Sequence, residues 1–164
     1  DERAYLDVIE RKTAVLFAAA TRLAAHLAGA DTAMQDRMHD YGMHLGLAFQ
    51  IADDVLDYDG DAEALGKNLG DDLAEGKATL PLIHAMGKAD PDLKQRLRAI
   101  IETGDAKAMP EVLAAIKAAD SLQYSIDKAH QHAQVAKAAL AGVPDGEWKR
   151  ALIELADYSV ARNH

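Results

Sequence analysis

The chain has 164 residues, no cysteine, and 27 acids against 18 bases for a formal net charge of -9. Disulfides, thiolate metal sites and cysteine nucleophiles are thereby excluded, and nucleic-acid backbone binding, which needs basic patches, is disfavoured. The acidity is local: residues 53–75 hold nine acids (Asp53, Asp54, Asp57, Asp59, Asp61, Glu63, Asp71, Asp72, Glu75) and one base, Lys67, while the rest is almost neutral.

Apolar residues recur at three- and four-residue spacing through most of the chain, the helical period. With 5% aromatics, four prolines and abundant Ala and Leu, this predicts an all-α protein. The first helix is expected over about Tyr5 to Leu27 and is stopped by Gly29. Asp31 or Thr32 caps a second helix reaching about Asp57, with Met34, Met38, Met43, Leu47 and Ile51 along it. Both helices are apolar over much of their circumference, as for the centre of a large bundle. Either they are the central helices of this chain, or the chain works against a partner. Gly60, Gly66, Gly70 and Gly76 then mark a loop over 58–76, long enough to suggest function. Helices resume near Lys77 and are expected at 91–102, 107–118, 121–141 and 146–162. Pro91, Pro110 and Pro144 lie near their starts, and Asp120 or Ser121 is a candidate cap.

The chemistry gathers in Phe49-Gln50-Ile51-Ala52-Asp53-Asp54-Val55-Leu56-Asp57. On a helix, Gln50, Asp53, Asp54 and Asp57 form one polar stripe, and like charges so close call for a cation. Hard oxygen ligands select Mg²⁺, Mn²⁺ or Ca²⁺. A solvated acidic helix end is the ordinary alternative, but these carboxylates oppose the helix dipole and end an apolar helix. A calcium loop fails, because Ala62 and Asn68 stand where Gly and Glu are required. Lys67 sits among the acids and Lys77 is expected to open the next helix, whose N-terminus attracts anions. Lysines beside metal-binding carboxylates suggest a diphosphate, bridged by divalent cations and neutralised by the lysines. The spacing is not that of a Walker A loop.

The run Gln50 with Asp53-Asp54-Val55-Leu56-Asp57, then Gly66-Lys67, then Gly76-Lys77-Ala78-Thr79-Leu80-Pro81, resembles the second aspartate-rich region of the trans-isoprenyl diphosphate synthases. Upstream, Ile9-Glu10-Arg11-Lys12-Thr13-Ala14 resembles that family's Lys-Thr motif. The match covers about residues 5 to 85. The Ala-rich first helix and Ser159-Val160-Ala161-Arg162 look most like the long-chain, octaprenyl-type branch. The resemblance implies an antiparallel bundle of the isoprenoid synthase type and a prenyltransferase that elongates an allylic diphosphate with isopentenyl diphosphate, using Mg²⁺, or Mn²⁺ in its place. It implies Asp53 as a metal ligand, with Asp57 assisting directly or through water and Asp54 a ligand or the holder of a lysine or water. Lys12 and Lys67 would contact the allylic diphosphate, Thr13 and Gln50 would line the reacting centre, and Lys77 would bind diphosphate or orient the acids. Phe49 would face the isoprenoid or pack in the core.

The family has two aspartate-rich regions and a basic isopentenyl diphosphate segment; only one aspartate-rich region stands in this sequence. Residues 1–164 are therefore expected to be the C-terminal half of one synthase domain, inactive alone and associating with a missing N-terminal half or a second copy. Another class I terpenoid enzyme, such as a squalene or phytoene synthase or a terpene cyclase, is the alternative enzyme. A helical subunit of a heteromeric synthase is the non-catalytic one. His44 is expected to be a core or interface residue, His130 and His132 point to different faces, the basic Lys94, Arg96 and Arg98 form a surface face, and Trp148 is expected to anchor the last helix. No apolar run spans a bilayer, and Asp1-Glu2-Arg3 has no signal-peptide pattern. With zero cysteine this leads to an expected cytoplasmic location.

Overall fold

A computed structural model describes residues 1–58 and 71–161. All regular structure among them is helical: α1 (Glu2–Ile9), a π turn (Glu10–Ala14), α2 (Val15–Leu27), α3 (Thr32–Leu56), α4 (Asp71–Ala74), α5 (Leu80–Lys88), α6 (Pro91–Thr103), α7 (Met109–Ala118), α8 (Ser121–Ala139) and α9 (Glu147–Val160), with 3₁₀ turns at Ala106–Ala108 and Leu140–Gly142. The chain forms two compact units, one of Asp1–Tyr5 with Asp53–Ile126, the other of Leu6–Ala52 with Asp127–His164.

Local chemistry sets the helix ends. Gly29 adopts a left-handed φ of 75° after α2, and the Ala30 N–H reaches back to the Ala25 carbonyl, closing the helix as glycine caps do. Asp31 Oδ1 accepts from the Met34 N–H at 2.8 Å, the expected cap of α3. Asp90 accepts from the Leu93 N–H at 2.9 Å, and Pro91 begins α6. The expected loop over 58–76 contains a short helix, α4, among its described residues. The next helix starts at Leu80 rather than Lys77, with Thr79 at its cap in extended backbone. Proline has no N–H to donate, so Pro81 is tolerated only in a first turn, which a start at Leu80 provides.

In the first unit, Tyr58, Leu73, Leu82, Ala85, Leu97, Ile100, Met109, Val112, Ala115 and Ile116 form one buried apolar cluster. This core draws the apolar stripes of α4, α5, α6 and α7 together. In the second unit Tyr41 and Leu45 of α3 pack with Ala136, Leu140 and Ala156. The Tyr41 hydroxyl donates to the Leu152 carbonyl at 2.9 Å, and burial pushes its pKa up to about 12. Helix α2 lies close against α3 in this unit. The Thr21 hydroxyl donates to the Met38 carbonyl at 2.6 Å, and Gly46 faces the Ala14 backbone where a Cβ would sit 2.6 Å from its Cα. That absence of a side chain lets the two backbones approach.

Of the two alternatives for the first helix, burial inside this chain does not hold on one face: Ile9, Ala14 and Ala18 are buried, but Val8, Val15, Leu16, Leu23 and Leu27 are exposed, Leu16 at 73% and Leu27 at 78%. Its hydrophobicity is thus an outward-facing stripe, whereas the second half of α3, through Leu47, Ala48, Ile51 and Ala52, is buried. Trp148 does not anchor α9 but stands 78% exposed in its first turn.

His44 is, as expected, a packing residue, and its partner is His132. Their rings stack with centroids 5.2 Å apart, and their Nδ1 atoms lie 2.9 Å apart. Such a bond needs one protonated and one bare Nδ1, so it fails when both rings are cationic. Burial, then His44 and Lys128, push His132 down to about 4; burial lowers His44 against the opposing pull of Asp40. A base whose folded pKa is depressed stabilises fully above its unfolded value of 6.5 and loses that contribution as pH falls toward the folded value. Discounted for partial exposure, the loss between pH 7 and pH 5 is about 1 kcal/mol, or about 2–4 °C in Tm. Thermal scans of wild type and His132→Asn should diverge across that interval; parallel curves would refute the assignment.

Candidate active-site elements

Lys12 and Thr13 lie in the π turn that interrupts the expected continuous helix. The Val15 N–H bonds the Glu10 carbonyl, five residues back, which widens the helix by one residue locally. Such turns recur at functional sites. Lys12 is exposed and Thr13 half-buried. The Thr13 hydroxyl donates to Gln50 Oε1 at 2.7 Å, so the two residues expected at the reacting centre are joined directly. Gln50 is buried on α3. Phe49 beside it is half-buried and packs on Phe17 with ring centroids 5.7 Å apart, the packing role.

In the first unit, the aspartates differ in setting. Asp53 is half-buried, whereas Asp54 and Asp57 are each only 5% exposed. Asp54 Oδ2 accepts from the Tyr5 hydroxyl at 2.7 Å. Burial, and then the charge and hydrogen bond of Asp54, hold that phenol above its ordinary pKa. Asp57 Oδ2 accepts from the Asp72 N–H at 3.3 Å, tying the end of α3 to the start of α4. Tyr58 accepts from the Thr79 hydroxyl at 2.9 Å, and burial raises its pKa over the opposing effect of that bond.

Lys77 stands three residues before α5 rather than in its first turn. Its ammonium pairs with Glu75 at 2.6 Å and Asp72 at 3.0 Å, and the hydrogen bonds to Glu75 and Asp72 raise its pKa. Lys77 therefore balances acids of the 53–75 segment. Lys67 lies outside the described residues. Among the described residues, no three acidic or imidazole side chains converge as a metal cage. A hard divalent cation such as Mg²⁺ keeps several waters and is held through one or two carboxylates plus substrate phosphates. The oxygen-only donors at the end of α3 fit such an ion. Sequence reasoning missed Tyr5, Asp72 and Thr79; a buried tyrosine signals that its hydroxyl needs a partner, but Asp54 is 49 residues away.

The chain matches the polyprenyl synthetase family over residues 1–119. It belongs to that family. Among its relatives are the octaprenyl diphosphate synthases of Haemophilus influenzae, 48% identical over 164 residues, and of Escherichia coli, 47% identical over 163 residues. In both cases 99% of this chain and 50% of the relative are covered. Among solved structures, a polyprenyl synthase from Caulobacter crescentus, complexed with calcium and isoprenyl diphosphate, superposes with a TM-score of 0.91 at 43% identity. It covers all of this chain and 51% of its own. The chain thus spans about half the length of the relatives it matches. Its all-α architecture is that of the polyprenyl synthetase family, and among the described residues no helix is long and apolar enough to cross a membrane.

Proposed function

We propose that residues 1–164 supply one half of the active site of a cytoplasmic long-chain polyprenyl diphosphate synthase. The observation that carries this reading is the end of α3, where Gln50, fastened to Thr13, precedes Asp53 and Asp54 along the helix and Asp57 just past its last residue. The substrates are an allylic prenyl diphosphate and isopentenyl diphosphate. The allylic C–O bond breaks with its electron pair leaving on the diphosphate. The isopentenyl double bond then forms the new C–C bond, and a proton is lost.

Asp53 and Asp57, with Asp54 beside them, would hold Mg²⁺, or Mn²⁺ in its place, and such an ion would supply charge neutralisation for a leaving diphosphate. Lys12 and Lys67 bind diphosphate oxygens, and Lys77 balances the acids around them. Thr13 fixes the Gln50 amide, whose dipole faces the developing cation. The calcium and isoprenyl diphosphate in the Caulobacter crescentus enzyme support an oxygen-liganded ion beside a diphosphate. Family membership favours an elongating enzyme over a cyclase or squalene synthase.

A second reading has one supporting observation: a relative 37% identical over 162 residues is component 2 of the Geobacillus stearothermophilus heptaprenyl diphosphate synthase. The chain would then act with a separate partner polypeptide. In either reading the exposed apolar stripe of α1 and α2 is covered by association, with the other half of the synthase, a second copy or that partner.

The test is thermal unfolding of the natural full-length polypeptide with Mg²⁺ and inorganic pyrophosphate. A ligand at 100 times its Kd stabilises by about 2.7 kcal/mol, so Tm should rise clearly with both together and little with either alone. A folded sample with no such rise would sink the proposal. Residues 1–164 alone should give no elongated product with both diphosphates and Mg²⁺.

A further inference from the structure

We propose that Tyr5 is a positioning residue for the acidic end of α3, holding the Asp54 carboxylate in the orientation that the metal–diphosphate complex requires. The inference rests on the proposed function above but adds a residue that neither the aspartate-rich stripe nor the Lys-Thr motif contains. Three observations carry it.

The hydroxyl of Tyr5 and Oδ2 of Asp54 are 2.7 Å apart, and both residues are buried, at 7% and 5% exposure. A hydrogen bond to a carboxylate away from water is stronger and more directional than a neutral one. Next, Tyr5 is itself held. It belongs to the same compact unit as Asp54. The short segment Asp1–Tyr5 is fastened there a second time, by the Tyr124 hydroxyl donating to Glu2 at 2.7 Å. Lastly, the other buried aspartate, Asp57, is oriented in the same manner by the Asp72 N–H. Two of the three aspartates are thus fixed by groups from outside the motif. The half-buried Asp53 lies between them and Gln50 along the helix.

A carboxylate side chain on a helix has two free torsions, and its neighbours at i±1, i+3 and i+4 carry like charge or bulk. The Tyr5 phenol is one of the contacts that set these torsions for Asp54. With it, one oxygen is fixed and the direction of the other follows. Partners of this kind commonly contribute tenfold or more to metal affinity although they never touch the ion.

The test is calorimetric titration of the full-length polypeptide with Mg²⁺ in the presence of inorganic pyrophosphate. Tyr5→Phe keeps the ring and its packing and removes only the donor. It should weaken apparent Mg²⁺ affinity about tenfold. Asp54→Asn still accepts from Tyr5 but has lost its charge, and should weaken affinity at least as much. Adding Tyr5→Phe to Asp54→Asn should then cause no further loss. Tyr5→Phe binding within twofold of wild type, with a lowered Tm, would make Tyr5 a packing residue only and overturn the proposal. If Tyr5→Phe does not fold, wild-type affinity in Asp54→Asn overturns it equally, because there is then nothing for Tyr5 to position. Wild-type protein that binds no Mg²⁺ with pyrophosphate refutes the parent reading; wild-type binding lost in Asp53→Asn but retained in Tyr5→Phe refutes only this one.

Discussion

Replacing Asp53 with asparagine should lower the turnover of the full-length polypeptide by about a hundredfold or more, the scale on which loss of one preorganised electrostatic group acts at a charge-developing centre. Asparagine keeps the size of the side chain and its place on α3 and removes only the negative charge. Of the three aspartates, Asp53 is the one not buried, which makes it the side chain best able to meet an ion arriving with its waters and its diphosphate. The loss should fall mainly on kcat, because charge accumulates on the leaving diphosphate as the allylic bond breaks. Raising Mg²⁺ should recover part of it. Asp92→Asn, an exposed change of the same charge in the first turn of α6, controls for net charge and should leave turnover unchanged. Equal rates for Asp53→Asn and Asp92→Asn would remove Asp53 from the metal site.

How much of this was legible in sequence depended on the range of the forces involved. Caps are local, so Gly29, Asp31 and Asp90 disclosed their helix ends through chemistry contained within three or four residues. Helical periodicity put Gln50, Asp53 and Asp54 on one helix, and they lie on α3, whereas Asp57 falls just past its end. Pro81 held the information that corrects the start of α5, since a helix opening at Lys77 would place it in the interior. Lys77 was misplaced because its position was read without its partners Asp72 and Glu75. The π turn left no periodic signature, because one extra residue in a helix shifts the apolar stripe by less than a turn; the Lys-Thr motif marked where to look without saying what would be found. The stripe on α1 and α2 shows the opposite limit. Hydrophobicity predicts that a face is to be covered, but not by what, and in these 164 residues Leu16 and Leu27 remain uncovered. Tyr5 and Asp54 mark the same limit for polar pairs.

Gly46→Ala should be among the most damaging small substitutions in the second unit, at about 2 kcal/mol net or about 4–8 °C in Tm. Two effects oppose each other. Alanine is favoured over glycine inside a helix by about 1 kcal/mol. Against that, the new Cβ would lie 2.6 Å from Ala14 Cα, 3.1 Å from Ala14 Cβ and 3.3 Å from Phe17 Cβ. Two of these neighbours are backbone or Cβ atoms of one residue in a helical turn and cannot swing aside as a flexible side chain would. Relief requires α2 and α3 to separate, which stretches the Thr21 bond to the Met38 carbonyl and loosens the contact of Phe17 with Phe49. Ala14 is the last residue of the π turn, so the displacement passes straight to Thr13 and pulls its hydroxyl from Gln50. The variant should therefore lose turnover at temperatures where it is still folded, by roughly the hundredfold that an ångström of misplacement can cost. Gly87→Ala is the control: a Cβ there meets nothing within 4 Å, and within α5 it should be neutral or stabilising by up to about 1 kcal/mol. If Gly46→Ala raised Tm as Gly87→Ala does, the close approach of α2 to α3 would not be what sets the Lys-Thr turn against Gln50.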